Sequence, residues 1–183
     1  FAMFHGASAF NRPLPFDTSR VIDMDRLFYE ATAFDQPLAW DTRQVESMSA
    51  MLHSAARFDR PLQLSTGLVV DMGRMLQSAA AFNAPLPLDT SSVTSMDSMF
   101  FAAASFNQPL AWNTGRVASF YEMLYAAARF DQPLDFDTSS ATTMSSMFHT
   151  TPALGDCNKK LIDASFSATP AWHYDWSALC GPP

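Results

Sequence analysis

Apolar and polar residues along this chain follow two rhythms that take turns. Leu14 and Phe16 lie two apart between prolines and polar residues, the spacing of a short strand with one buried face. Val21, Met24, Leu27, Phe28 and Ala31 then fall three or four apart, the spacing of one helical face. Between them runs "DTSR", whose Asp, Thr and Ser offer the oxygen acceptors that start helices. The pattern predicts a strand, a capped turn and a short helix.

That unit then recurs. Phe10, Phe34, Phe58, Phe82, Phe106 and Phe130 fall at one constant interval. Pro13, Pro37, Pro61, Pro85, Pro109 and Pro133 keep the same register, each followed by Leu. Thr18, Thr42, Thr66, Thr90, Thr114 and Thr138 form an unbroken column, and a Val column from Val21 to Val117 ends in Ala141. All 11 methionines occupy two columns, one running from Met24 to Met144 and the other from Met3 to Met147. These are expected to be adaptable core filler, against a metal or cofactor role. "FDQPLAWDT" at 34–42 and "FNQPLAWNT" at 106–114 lie three intervals apart and are nearly identical, which implies duplication of a block of three units.

Six full units thus span 10–153, residues 1–9 are the tail of a preceding one, and 154–183 fall outside the pattern. The chain begins within a unit, so it is expected to be a processed product or a fragment of something longer. One such unit cannot bury enough apolar surface to fold alone; stacked units share hydrogen bonds and core. The fold class expected is an α/β solenoid, a right-handed stack of strand–turn–short-helix units with a C-terminal cap. Proline cannot donate to a ladder between units, so it is expected at the first residue of each strand.

"FNQPLAWNTGRV" and "VTSMDSMFFAAASFNQPL" (93–110) resemble the BspA-like leucine-rich repeats, the variety found in mycoplasma and lactobacillus surface proteins and in unicellular algae. The resemblance covers about residues 1–154. It implies a leucine-rich-repeat stack, with surface display and adhesive or unassigned function, and it brings no catalytic motif.

Composition narrows the function. Hydrophobic residues make up 48% of the chain and charged ones 16%, a folded composition. A net charge of −7, with basic residues scattered, argues against nucleic acid as a partner. No apolar run is long enough for a membrane-spanning helix. Both cysteines, Cys157 and Cys180, lie in the C-terminal segment, where a repeat stack needs a cap. They suggest a disulfide closing that cap, as in many extracellular leucine-rich-repeat proteins, and hence an extracellular, cell-surface or organelle-lumen setting. His173 and Asp175 lie nearby, but no Cys-x-x-Cys pair is present, so no zinc or other metal site is expected.

Candidate surfaces are solvent-facing columns. His5, Tyr29, His53, Gln77, Phe101, Tyr125 and His149 each follow the Phe or Leu of the "MF" pair. They read either as a ribbon that binds a protein, lipid or pigment surface, or as rings half-buried between neighbouring units. Asp17, Asp41, Ser65, Asp89, Asn113 and Asp137, echoed by Asn11, Asp35, Asp59, Asn83, Asn107 and Asp131, could be proposed to hold calcium between units; the free exchange of Asp with Asn and Ser suits capping and Asx turns better. The Thr column brings ice binding to mind, but its neighbours are too variable for a regular double rank. No nucleophile elbow, metal triad or phosphate loop is present. The expectation is a non-enzymatic protein-interaction scaffold without cofactor, or alternatively a structural subunit of a larger assembly associated with a membrane complex.

Overall fold

A computed structural model describes residues 2–181. Residues one unit apart pair in parallel along a single line: Asp23 with Ser47, Ser47 with Asp71, Asp71 with Ser95, Ser95 with Ser119, and Ser119 with Thr143. Each unit therefore makes one coil, and successive coils lie on one another in register.

The pairing is not where the strand was expected. Leu38 and Trp40 are buried while Pro37 and Ala39 beside them are exposed, so the alternation of faces is real, but the segment carries no bridge. Main-chain pairing falls instead just before the first Met column. The proline-containing segments are held together by side chains. Trp40 Nε1 donates to the Leu14 carbonyl at 3.1 Å, and Trp112 Nε1 to the Leu86 carbonyl at 3.1 Å.

The expected helix over Val21–Ala31 is also replaced. Leu27 N–H donates to the Met24 carbonyl (3.3 Å), Tyr29 to Arg26 (3.1 Å) and Ala31 to Phe28 (3.0 Å), which is a chain of overlapping β-turns. Arg26 and Glu30 lie in the left-handed region (φ 54° and 58°), and the same two positions do so in every later unit up to Ser146 and Thr150. The intervening N–H groups leave the coil: Met24 donates to Ser47, Arg26 to Ser49, Phe28 to Met51 and Glu30 to His53, at 2.8–3.0 Å. Overlapping turns bring a side chain back to the same face every three or four residues, as a helix does, so Met24, Phe28 and Ala31 still share the core. A helix this short is marginal by itself, whereas the turn ribbon bonds to its neighbours at every second residue.

The core is a set of columns. Phe34, Phe58, Phe82, Phe106 and Phe130 stack at centroid steps of 5.9–6.1 Å, all fully buried. Ten of the methionines are buried at 0–1% exposure, and Met3 at the first coil is 68% exposed. Ring spacing varies around the coil. In the column from His5 to His149 it is 4.3–4.9 Å, shorter than in the Phe column. Between Trp112 and Phe136 it widens to 6.4 Å. Rings on the turn ribbon thus stack more closely than those of the Phe column or of the Trp112–Phe136 pair.

At the C-terminal end Leu154 and then α1 (Asp156–Phe166) close the core. Gly155 N–H donates to Asp131 Oδ1 at 2.8 Å, and Asn158 Nδ2 reaches the same oxygen at 2.8 Å. Ile162 and Phe166 face inward, Phe166 continuing the Trp112–Phe136 column at 6.3 Å. The following segment packs Trp172, Tyr174 and Trp176 edge-on against Phe148, and Cys157–Cys180 ties it to α1 as a disulfide (Cα–Cα 4.7 Å).

Candidate functional site

The column from His5 to His149 lies along the turn ribbon, each residue following the Phe or Leu that the ribbon turns toward the core. Its neighbours stack: His5 with Tyr29 at 4.7 Å, Tyr29 with His53 at 4.3 Å, Phe101 with Tyr125 at 4.7 Å, Tyr125 with His149 at 4.9 Å. Tyr29, His53, Gln77, Phe101 and Tyr125 are half-buried; His5 and His149, at the ends, are exposed. Ring faces are spent on each other, so edges meet the solvent. Gln77 interrupts the row, and its Oε1 is a buried side-chain acceptor without a hydrogen-bond partner.

Over the middle of this column runs a groove of about 640 Å³, whose walls include Arg26, Glu30, Arg74 and Glu122. These four are the only bulky side chains at the left-handed turn positions of the described coils; the others are Ala, Ser, Thr or Gly. A left-handed φ is cheapest for Gly and unusual for a bulky residue. All four escape a reading of the sequence, because their two columns, Arg, Ala, Arg, Ser, Glu, Ser from Arg26 and Glu, Ser, Ser, Ala, Ala, Thr from Glu30, show no common character. Burial, the largest influence, pushes the His53 imidazole below its ordinary pKa, against the opposing pull of Glu30. The neutral ring therefore dominates at neutral pH.

The two carboxylate columns divide. In the column from Asp17 to Asp137 the carboxylate accepts from the main chain two residues on, as in Asp17–Ser19 (3.0 Å), Asp89–Ser91 (3.0 Å) and Asp137–Ser139 (2.9 Å), which are Asx turns. The column from Asn11 to Asp131 does something else. Each Oδ1 accepts the main-chain N–H of the same position one coil on: Asn11 from Asp35, Asp35 from Asp59, Asp59 from Asn83, Asn83 from Asn107 and Asn107 from Asp131, at 2.8–3.1 Å. Asp and Asn share that oxygen, which is why they exchange. The Thr column faces inward at 0–7% exposure, so it presents no array to solvent. Among the described residues, no group of three or more His, Cys, Asp or Glu is placed to hold a metal ion, and no helix is long and apolar enough to cross a membrane.

Coils of one length, stacked in register and closed by a disulfide-tied end, define a repeat protein. The chain belongs to the family described as "Mycoplasma protein of unknown function, DUF285", whose model matches residues 1–86 and 63–161. The match is consistent with the mycoplasma repeat family that the sequence resembles. No curated protein matches the chain.

Proposed function

We propose that this chain is a non-enzymatic protein-interaction scaffold, a right-handed leucine-rich-repeat-like solenoid that binds a protein partner along the ring column from His5 to His149. The observation that carries the reading is the half-buried aromatic and histidine column bordering the groove. A stack of coils offers an extended surface, and rings already stacked on each other lose little conformational freedom when a partner covers them. Cys157–Cys180 supports a secreted, cell-surface or lumenal setting, since disulfides persist in oxidising compartments. Replacement of Tyr29, Phe101 or Tyr125 by Ser is expected to weaken retention of the native partner at unchanged fold. Full retention with all three replaced overturns the site assignment.

A second reading, a structural subunit within a larger assembly, draws on the low charged content of 16% and the aromatic content of 13%, which suit permanent coverage by another protein surface. Sizing the protein isolated under mild conditions distinguishes the two: elution at the size of a single chain favours the free module, and a large complex favours the subunit.

A further inference from the structure

Bulk alternates along one column of left-handed turn positions. It runs Arg26, Ala50, Arg74, Ser98, Glu122 and Ser146, a long charged side chain and then a short one, coil after coil. Ala50 and Ser98 lie low between the long ones, at 4% and 6% exposure, and both still line the groove. The second such column, from Glu30, carries only Ser, Ala or Thr after its first residue. Ring steps of 4.3–4.9 Å give the coil spacing on this face, and two steps separate one long side chain from the next. One more side chain inserts between two such neighbours at about 3.5–4.0 Å from each.

The charges are balanced, two Arg and two Glu around the groove, so the face as a whole favours neither a cation nor an anion. They are also unspent: among the described residues the ion pairs are Arg43–Asp41, Arg60–Asp35 and Lys159–Asp156, and none uses a groove residue. Balanced, unpaired and alternating charge is what a surface complementary to itself requires.

The register of that pairing follows from the alternation. A two-fold axis lying in this face, at right angles to the stack and between the coils of Arg74 and Ser98, relates the chain to an antiparallel copy. Arg74 then faces Ser98, Glu122 faces Ala50 and Arg26 faces Ser146, each contact occurring twice. Every long side chain meets a short one. Glu122 enters over Ala50 between Arg26 and Arg74 of the other copy, one carboxylate between two guanidiniums. In the ring column the same axis sets His53 against Tyr125 and Tyr29 against His149. An axis through a coil would instead set long side chains on long ones.

We infer that this face binds the same face of a second copy of the chain, antiparallel, with Glu122 of each seated between Arg26 and Arg74 of the other. This rests on the reading of the ring column as a protein-binding surface and names the protein it binds.

The test measures the mass of the intact protein by sedimentation equilibrium over a concentration series. Two variants make the column single-signed: Glu122→Arg leaves it cationic, and the double variant Arg26→Glu, Arg74→Glu leaves it anionic. The wild-type protein is expected to form a reversible dimer, and each variant alone to associate at least about tenfold more weakly. An equimolar mixture of the two is expected to regain the dimer as a mixed pair, which also shows that both variants are folded. Ala50→Gln fills the gap without adding charge and is expected to weaken the wild-type dimer at least about tenfold. A monomer at every concentration, a dimer indifferent to all these substitutions, or a mixture no tighter than its separate components overturns the inference. Retention of the native partner by the Phe101→Ser protein is measured alongside. If the wild-type chain stays monomeric while Phe101→Ser loses its partner, the second copy falls as the occupant and the protein-binding reading stands.

Discussion

The hydroxyl of Thr66 donates to the carbonyl of Asp89 in the next coil at 2.8 Å, with the side chain 1% exposed. Thr18, Thr42, Thr90 and Thr114 make the same bond to the next coil at 2.8–3.0 Å, and Thr138 ends the series on Thr169. These hydroxyls join coils on the side where no main-chain bridge does. Thr66→Val keeps the shape and leaves the Asp89 carbonyl without its donor. It is expected to cost about 1–3 kcal/mol by urea denaturation, and Thr66→Ser less than Thr66→Val. A neutral Thr66→Val would leave the unbroken column without this structural reason.

The Asn/Asp ladder makes a sharper distinction between residue types. Asn83 Oδ1 accepts from Asn107 N–H at 2.8 Å and lies within 3.3 Å of Gln108 Nε2. Asn83→Asp retains the acceptor and is expected to change stability by less than about 0.5 kcal/mol. Asn83→Leu removes it and is expected to cost about 0.5–1.5 kcal/mol. Equal effects of the two substitutions would contradict a ladder built on that oxygen.

Acid sensitivity follows from the same carboxylates. The Arg43 side chain beside Asp41 holds its carboxyl down, to about 2 from an ordinary 3.8. Ser19, Ser91 and Ser139 lower Asp17, Asp89 and Asp137 by hydrogen bonding, and Gly155 N–H lowers Asp131. With folded values below unfolded ones, the unfolded chain takes up protons first as pH falls. The stability these groups supply is complete above the ordinary value and is lost as pH falls below it, for Asp41 between 3.8 and about 2. His53, also depressed, adds an earlier decline below its ordinary 6.5. Thermal midpoints measured across pH are expected to show both declines, with the earlier one absent in His53→Gln. A flat profile from neutral to strongly acid pH would contradict the assignment.

The disulfide is expected to hold the end of the stack. Cys157 and Cys180, 23 residues apart, close a loop over Phe148, whose main-chain N–H donates to Tyr174 Oη at 3.2 Å. Replacing both cysteines by Ser is expected to cost about 3 kcal/mol. Hydrogen exchange should quicken first in 167–181, while the Phe58–Phe106 core stays protected. Uniformly faster exchange along the whole chain would show that the end is not a separable cap.

Much of this molecule was legible as columns and little of it as secondary structure. The Phe, Met and Val columns are core because each position repeats its burial from coil to coil, and a column is visible without knowing the backbone. The backbone stays hidden for a physical reason. Overlapping β-turns return Met24, Phe28 and Ala31 to one face at the spacing of a helix, so periodicity alone cannot separate them. What separates them is the left-handed φ at Arg26 and Glu30, and neither residue type announces that conformation. The ring column was visible, and its stacking at 4.3–4.9 Å admits the half-buried alternative and the interface together. Arg26, Glu30, Arg74 and Glu122 were not visible, since they share a groove only once the coils are stacked.

The most direct test of the central claim is site-specific photo-crosslinking in the cells that make the protein. A photoreactive phenylalanine analogue is placed at Phe101 in the ring column, and in a second protein at the exposed Pro109 in the proline-containing segment. A binding surface along the ring column predicts a discrete protein adduct from position 101 and none from position 109. An adduct from position 109 alone, or none from position 101, would contradict it.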